Sequence, residues 1–431
     1  MSREELLREL DRCQKCRFCI DQCPVYSYID NAEYLAPYGR IQSMRYMLKG
    51  SYTVNDNLLY YIYTCLICAG CEIVCREAGE SLEVSKLIRR SRTILSDALL
   101  RGEVEGTESS VLSYLLSSIV NNIRRVGDPL GLDKPYWLNW ALSINVPKKG
   151  STIILTSRMY QMAPYLPQIT KLVDQARGMV SSKLLRKIIT KASGLGLKIS
   201  ELRLKREIVN RSERILQGIY LSLTKLGLNP SFLYEDEPYS GALLYDLGLD
   251  DPLVEHSKKV YRLLKERDVK TVITVDPHTF FMLKQVYPSI IDGFDIEVRH
   301  YIEVLSSNID VISKWNKLGG RYVIHDPCTM ARDLGVIEEP RKVIEGLGID
   351  LVEPEDKGIE TKCCGGPIEY AYPKLSKKIA LERLKRLSKF HSKIVSYCPI
   401  CWINLGSYEE ELNLEVRDLG ELLYEVFFKT K

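Results

Sequence analysis

The chain has 431 residues, a formal net charge of +4, 45% apolar and 27% charged residues. This is the composition of a globular protein of two or three domains and excludes a disordered or fibrous chain. So small a charge gives no reason to expect a nucleic-acid partner.

The first residues, Met1-Ser2-Arg3-Glu4-Glu5, are polar and carry no apolar export segment. No run reaches the ~18–20 apolar residues of a membrane span; the nearest, Val111 to Val120, is short and interrupted by serines. The expected location is cytoplasmic, or peripheral at the inner face of the membrane through a partner, with no transmembrane segment in the chain. The 13 cysteines fall in three groups, four between 13 and 23, four between 65 and 75, and five between 328 and 401. Clustered thiols in a reducing compartment read as metal ligands rather than as a disulfide framework.

Cys13, Cys16, Cys19 and Cys23 follow the spacing C-x2-C-x2-C-x3-C, completed by Pro24; Cys65, Cys68, Cys71 and Cys75 repeat it, with Arg76 in place of the proline. Three cysteines at two-residue intervals wrap one [4Fe–4S] cube, and the fourth reaches the other cube. Cys13, Cys16, Cys19 and Cys75 are therefore assigned to one cluster, and Cys65, Cys68, Cys71 and Cys23 to the second. Structural zinc sites pair two C-x2-C knuckles instead.

The 41 residues between Cys23 and Cys65 exceed the tight link of a compact ferredoxin. Gly39 to Lys49 and Asn57 to Thr64 have a helical apolar rhythm. Together with Ala36-Pro37-Tyr38-Gly39-Arg40-Ile41, this resembles the α-helical ferredoxin module of succinate dehydrogenase iron–sulfur subunits and their relatives. Tyr38 stands where those relatives carry the first arginine of a Pro-Arg-Gly-Arg stretch. The module is placed at 1–105.

A helical linker is expected at 106–149, with a helix near Ser109–Arg125 and Gly/Pro punctuation at Gly127–Pro135. Beyond it, β-branched runs alternate with helices, as α/β folds do. Thr152–Thr156, Thr271–Val275, Arg321–Ile324 and Lys393–Ser396 read as buried strands; Leu253–Arg267, Lys374–Leu387 and Asp418–Phe427 read as helices. An internal repeat is visible: Lys270 to Thr279 aligns with Ser392 to Cys401, and Tyr239-Ser240-Gly241 with Cys363-Cys364-Gly365. The first copy is placed at 150–295 and the second at 296–431. The insert 171–225 carries 13 Lys/Arg against four Asp/Glu and reads as a solvated helical hairpin.

Cys328, Cys363–Cys364 and Cys398–Cys401 form the pattern C-x34-CCG-x33-C-x2-C, the x33 spacing counted from Cys364. This resembles the CCG domain of the heterodisulfide reductase family, which includes the iron–sulfur subunits of glycolate oxidase and glycerol-3-phosphate dehydrogenase. The expected fold is thus α+β and multidomain: an α-helical ferredoxin module followed by two α/β CCG domains related by an internal repeat. The resemblance implies a noncubane [4Fe–4S] cluster on these five cysteines, which form the expected catalytic set. Adjacent Cys363 and Cys364 suit two irons of an extended cluster, while Gly365 and Gly366 let the backbone approach the sulfurs. Four thiolates also suit zinc, and buried unligated thiols remain a third reading.

In the first copy Ser157 or Arg158, Tyr239, Ser240, Asp276 and Thr279 occupy the cysteine positions, so that copy is expected to be structural. No catalytic role is assigned to His278 there, and His325, beside Cys328, reads as a packed histidine. No G-x-G-x-x-G follows a strand and no P-loop occurs, so electrons must come from and go to partners. The expected function is an iron–sulfur electron-transfer subunit of a heterodisulfide reductase-like oxidoreductase. Its expected partners are a flavoprotein, a membrane quinone-reactive subunit or a small thiol/disulfide carrier. The alternatives are the iron–sulfur subunit of a flavin-dependent glycolate, lactate or glycerol-3-phosphate dehydrogenase, and an adaptor whose CCG domain binds zinc.

Overall fold

The computed structural model describes residues 2–29, 31–132, 135–179 and 204–428. Helix α1 (Arg3–Asp11) opens on a capping box, Ser2 with Glu5, that satisfies donors at its free end. A short helix α2 (Pro24–Tyr28) follows Cys23, and α3 (Pro37–Leu48) starts on Pro37, whose fixed φ suits a first turn. Gly39 lies so close to the Glu33 carbonyl and the Tyr34 Cα that a β-carbon would overlap them. Next come α4 (Asp56–Tyr63), capped by Asn55, then α5 (Gly70–Glu77) and α6 (Val84–Leu100). The first two cysteine motifs occupy the loops before α2 and α5, so each final cysteine begins or rides a helix.

Helix α7 (Thr107–Val126) packs on α4 and α6. Its first turn is capped from a distance: the Asp56 carboxylate accepts hydrogen bonds from the Glu108 and Ser109 N–H groups at 3.1 and 3.0 Å.

Two parallel sheets make up the rest. The first has the order β1 (Thr152–Leu155), β2 (Thr271–Thr274), β3 (Glu297–His300), with Ser231 bridging the outer side of β1 in parallel. The second runs β5 (Asp350–Val352), β4 (Arg321–Ile324), β6 (Lys393–Ser396), β7 (Glu415–Asp418). Each sheet thus has one neighbour on the far side of its first strand and two on the near side. The central strands are buried apolar runs, as parallel sheets covered by helices require.

The insert departs from expectation. Residues 180–203 of it lie outside the described residues, but the helix Arg206–Lys225 is not a solvated hairpin arm. Its apolar stripe of Ile215, Ile219 and Leu223 is fully buried against the C-terminal helix Leu419–Phe428. Arg211 forms ion pairs with Glu409 and Glu421 at 3.0 and 2.8 Å. The basic count hid an apolar seam between the two α/β units.

Gly218 and Gly420 bring these two helices into contact. A β-carbon on Gly218 would overlap the Gly420 carbonyl and stand 2.5 Å from the Tyr424 nitrogen. In an exposed helix, Gly→Ala gains about 1 kcal/mol. Here Gly218→Ala is expected to cost about 1–3 kcal/mol through overpacking. Urea unfolding checks the sign, and an unchanged or raised midpoint would refute it.

Candidate metal centres

None of the 13 cysteines is disulfide-bonded. In the first motif Lys15 and Arg17 adopt left-handed φ values of 63° and 70°, which curl the loop so that its thiols converge. Cys13, Cys16, Cys19 and Cys75 are electrostatic neighbours, and burial pushes the Cys13 thiol up and Cys19 up to about 12. Cys16 is exposed at the rim, and Phe18 beside it is 64% exposed.

Cys23, Cys65, Cys68 and Cys71 line one cavity together with Arg40. Burial raises Cys23 to about 11 against the pull of Arg40, and raises Cys71 as well. Arg40 is 1% exposed; its Nε donates to the Leu35 carbonyl at 2.7 Å and its Nη1 to Thr64 Oγ1 at 3.0 Å. Its Nη2 has no partner. Behind the loop, Arg92 Nη2 donates to the Cys65 carbonyl at 2.5 Å and fixes the motif to α6.

The five C-terminal cysteines converge at the carboxyl ends of β4 and β6, where the strand order reverses and α/β sheets place their sites. Cys363, Cys364, Cys398 and Cys401 are 1–3% exposed, and Cys328 is half-buried. Cys328 Sγ lies 3.9 Å from Cys363 Sγ. Cys363 and Cys364, Cys364 and Cys401, and Cys401 and Cys398 are close electrostatic neighbours. The chain of thiols drives the pKa values apart: Cys364 goes down through Cys363 and Cys401, while Cys363 and Cys401 go up. Gly365 has φ +85°, and a β-carbon on Gly366 would overlap Ile400 and stand 3.5 Å from Cys364 Sγ.

The Cys328 loop is held by Asp326, whose carboxylate accepts from Arg341 at 3.0 and 2.9 Å, from Gly358 N at 2.7 Å and from Tyr397 Oη at 3.1 Å. Burial opposes its ionisation, but Arg341 and the other donors hold its pKa below the usual value. His325 is more than packed. Its Nδ1 accepts from Arg383 Nε at 3.3 Å, and its buried Nε2 has no hydrogen-bond partner. Ligand atoms of His325, Cys364 and Cys401 lie within 4.8 Å of one another.

Two contacts were not expected from the sequence. Cys68 is an electrostatic neighbour of Cys363, which with Arg332 draws its pKa down to about 6. Arg332 Nη1 donates to the Cys68 carbonyl at 2.5 Å and its Nε to the Ile359 carbonyl at 2.7 Å, and Lys362 reaches Gln22. The second ferredoxin motif therefore lies directly on the five-cysteine site. The other is His278, from the first α/β unit, which is an electrostatic neighbour of Cys398. Burial disfavours its charge, but Cys398 overrides that and raises it to about 10. The only sequence signal was the alignment of its loop with the Cys398 loop.

The positions aligned with cysteines also meet in the first unit, as a polar cluster. Ser157 Oγ accepts from Ser240 N at 2.6 Å, Thr279 Oγ1 donates to Ser240 Oγ at 3.5 Å, and Asp276 accepts from Thr279 N at 2.9 Å. Arg158 is held by Asp128 at 3.0 Å and stacks on Trp137, with its guanidinium carbon 3.7 Å from the ring centroid.

The donor sets fit iron–sulfur groups. Four thiols share a cavity with a buried guanidinium N–H that lacks a partner, which suits an anionic guest. The comparisons with known proteins agree. Residues 9–78 match a 4Fe-4S dicluster domain and residues 322–406 a cysteine-rich (CCG) domain. The chain is 24% identical to a subunit of the dihydromethanophenazine:CoB–CoM heterodisulfide reductase of Methanosarcina mazei, over 97% of this chain and 94% of that one. It is 28% identical to the probable iron–sulfur-binding oxidoreductase FadF of Bacillus subtilis, over 50% of this chain and 32% of that one. The probable glycolate oxidase iron–sulfur subunit of B. subtilis is 26% identical over 38% of this chain and 36% of that one. The chain spans about a third of FadF and of the glycolate oxidase protein.

The fold and sites define an iron–sulfur electron-transfer protein of the oxidoreductase class. The chain joins a segment matching a 4Fe-4S dicluster domain to one matching a cysteine-rich CCG domain, and is similar to the methanogen heterodisulfide reductase protein, FadF and the glycolate oxidase iron–sulfur protein over the spans given. Among the described residues no helix is long and apolar enough to cross a membrane.

Proposed function

We propose that the chain is the relay subunit of a heterodisulfide reductase-like complex, passing electrons between a partner at the Cys13–Cys19 loop and the five-cysteine site. The observation that carries this reading is the hydrogen bond at 2.5 Å from Arg332, in the turn after Cys328, to the Cys68 carbonyl, which seats the second ferredoxin loop on the Cys328 loop. Cys13, Cys16, Cys19 and Cys75 hold one [4Fe–4S] cluster, and Cys65, Cys68, Cys71 and Cys23 the other. Cys328, Cys363, Cys364, Cys398 and Cys401 hold a noncubane [4Fe–4S] cluster. When bound, these groups supply one-electron transfer at potentials set by their surroundings.

The chain's own residues do the rest. Arg40 offers its free N–H to the second site and compensates its negative charge. The buried thiols of the five-cysteine site keep water away. Cys328, its most exposed member, marks the side from which a thiol/disulfide carrier or quinone-linked partner reaches it. At the other end, exposed Cys16 and Phe18 suit contact with a flavoprotein or a membrane quinone-reactive subunit.

The segments 1–105, 106–149, 150–295 and 296–431 are proposed as ferredoxin module, linker and two CCG-type units. The shared strand order, and the polar cluster of Ser157, Ser240, Asp276 and Thr279 at the thiol positions, support a repeat whose first copy lost its ligands. His325, Cys364 and Cys401 favour a second reading, zinc at the C-terminal site.

Anaerobic metal analysis with EPR separates the two. The relay reading expects iron above the about eight per chain that two cubanes supply, little zinc, and a third paramagnetic species. Zinc near one per chain with about eight irons would establish the second reading instead. Iron well below eight, or no cubane signal on reduction, would refute both.

A further inference from the structure

We propose that Arg383 positions His325 as a hydrogen-bond donor to a sulfur of the group held at the five-cysteine site, so that His325 sets the potential of that site and does not ligate it. The inference rests on the reading of that site as iron–sulfur, and it fixes which form of the imidazole borders the group.

His325 directly follows β4, and its ring is fully buried. Main-chain bonds hold it there: its backbone N–H donates to the Val395 carbonyl at 2.8 Å, and its carbonyl accepts from Ser396 Oγ at 3.1 Å. Ligand atoms of His325, Cys364 and Cys401 lie within 4.8 Å of one another, so the ring borders both thiols. Its Nε2 nevertheless has no hydrogen-bond partner. An orphaned polar nitrogen in a dry interior is costly. The group bound by the adjoining thiols supplies the missing partner.

The direction of that bond follows from Arg383. Its Nε donates to His325 Nδ1 at 3.3 Å, and a guanidinium has no lone pair with which to accept. Nδ1 is therefore the bare nitrogen, and the neutral ring carries its proton on Nε2. Arg383 rides the helix Pro373–Ser388, is 1% exposed and pairs with Asp356 at 2.5 Å, which keeps it in place. A ring protonated at Nε2 has no lone pair there for a metal, so zinc in the second reading would rest on the thiols alone. It does have an N–H for a thiolate or sulfide sulfur. Such a donor stabilises the more negative, reduced state, and its removal makes reduction harder.

The test uses the whole loaded chain with isotope-labelled histidine, as wild type, His325→Gln, His325→Phe and Arg383→Met. Hyperfine spectroscopy of the paramagnetic C-terminal site is expected to show a weak histidine-nitrogen coupling that both His325 variants lose. Redox titration is expected to give a lower midpoint potential in His325→Phe, and one near wild type in His325→Gln, which keeps an N–H donor. Arg383→Met frees Nδ1 and is expected to shift the potential in the same direction as His325→Phe. The cubane potentials and signals stay in place throughout and report folding and loading. A strong coupling, that of a nitrogen bonded to iron, overturns the inference, as does a coupling that survives in His325→Gln. Equal potentials in His325→Phe and wild type overturn it too, and a wild-type potential in Arg383→Met removes the positioning role of Arg383. Loss of the C-terminal metal from both His325 variants is the behaviour of a ligand and refutes the donor role. A wild-type C-terminal site with no paramagnetic state would sink the iron–sulfur reading itself, a result seen before any variant is made.

Discussion

Cys68→Ala is expected to remove about four irons per chain and to disconnect the five-cysteine site from the ferredoxin module. Cys68 combines two positions: it lines the cavity shared by Cys23, Cys65 and Cys71, and its carbonyl receives Arg332 from the turn after Cys328, with Cys363 as an electrostatic neighbour of its thiol. Cys16→Ala makes the contrasting variant. Cys16 is exposed at the far rim, so its loss is expected to cost a similar amount of iron while the Cys363 contact persists. The measurement is anaerobic iron analysis with stopped-flow reduction by a small chemical donor. In the Cys68 variant, reduction of the C-terminal site by way of the ferredoxin module should fail. A Cys68→Ala chain with full iron, or with wild-type reduction of that site, would sink the proposed route.

The second large effect is expected at Asp326. Its carboxylate is fully buried and receives Arg341, Gly358 N and Tyr397, and it immediately precedes Pro327 and Cys328. Removing one partner of a buried pair costs about 3–5 kcal/mol, because the other charge stays behind without compensation. Glu353 also pairs with Arg341, at 2.6 Å, so the lower end is expected for Asp326→Ala, about 3 kcal/mol. Asp326→Asn keeps an acceptor for Gly358 N and should cost less. Urea unfolding and metal retention at the C-terminal site check this together. Wild-type stability in Asp326→Ala would show that Arg341 is satisfied without it.

The sequence was most legible where chemistry depends on spacing. Cysteine intervals marked three groups; the structure exchanges the last member of the first two, setting Cys75 near Cys13, Cys16 and Cys19 and Cys23 in the cavity of Cys65, Cys68 and Cys71. Buried β-branched runs announced β1, β2, β4 and β6 because strands covered on both faces leave an uninterrupted apolar signature. The strands that escaped, β3, β5 and β7, are short outer strands with charged residues, such as Glu297-Val298-Arg299-His300 and Glu415-Val416-Arg417-Asp418. Their alternation has too few apolar residues to stand out from a loop.

The same limit applies to the sites. Arg332, His278 and Asp326 act across more than two hundred, more than one hundred, and fewer than twenty positions, respectively, from their partners Cys68, Cys398 and Arg341. No local pattern marks such encounters; the Arg332 contact exists only once two units have packed, and the Asp326 pair only once the Cys328 loop has folded onto the helix Glu338–Gly346. Arg206–Lys225 failed in the opposite way, since its basic residues were conspicuous while its buried stripe was not. Charge on one helical face says little about what the other face covers.

The seating of the second ferredoxin loop on the C-terminal unit, through Arg332 at the Cys68 carbonyl and Lys362 at Gln22, ties the two candidate centres mechanically. Arg332 also holds the Ile359 carbonyl, so one side chain fixes the spacing of the Cys68 loop from the loop that leads to Cys363. A displacement of either loop is thereby carried to the other.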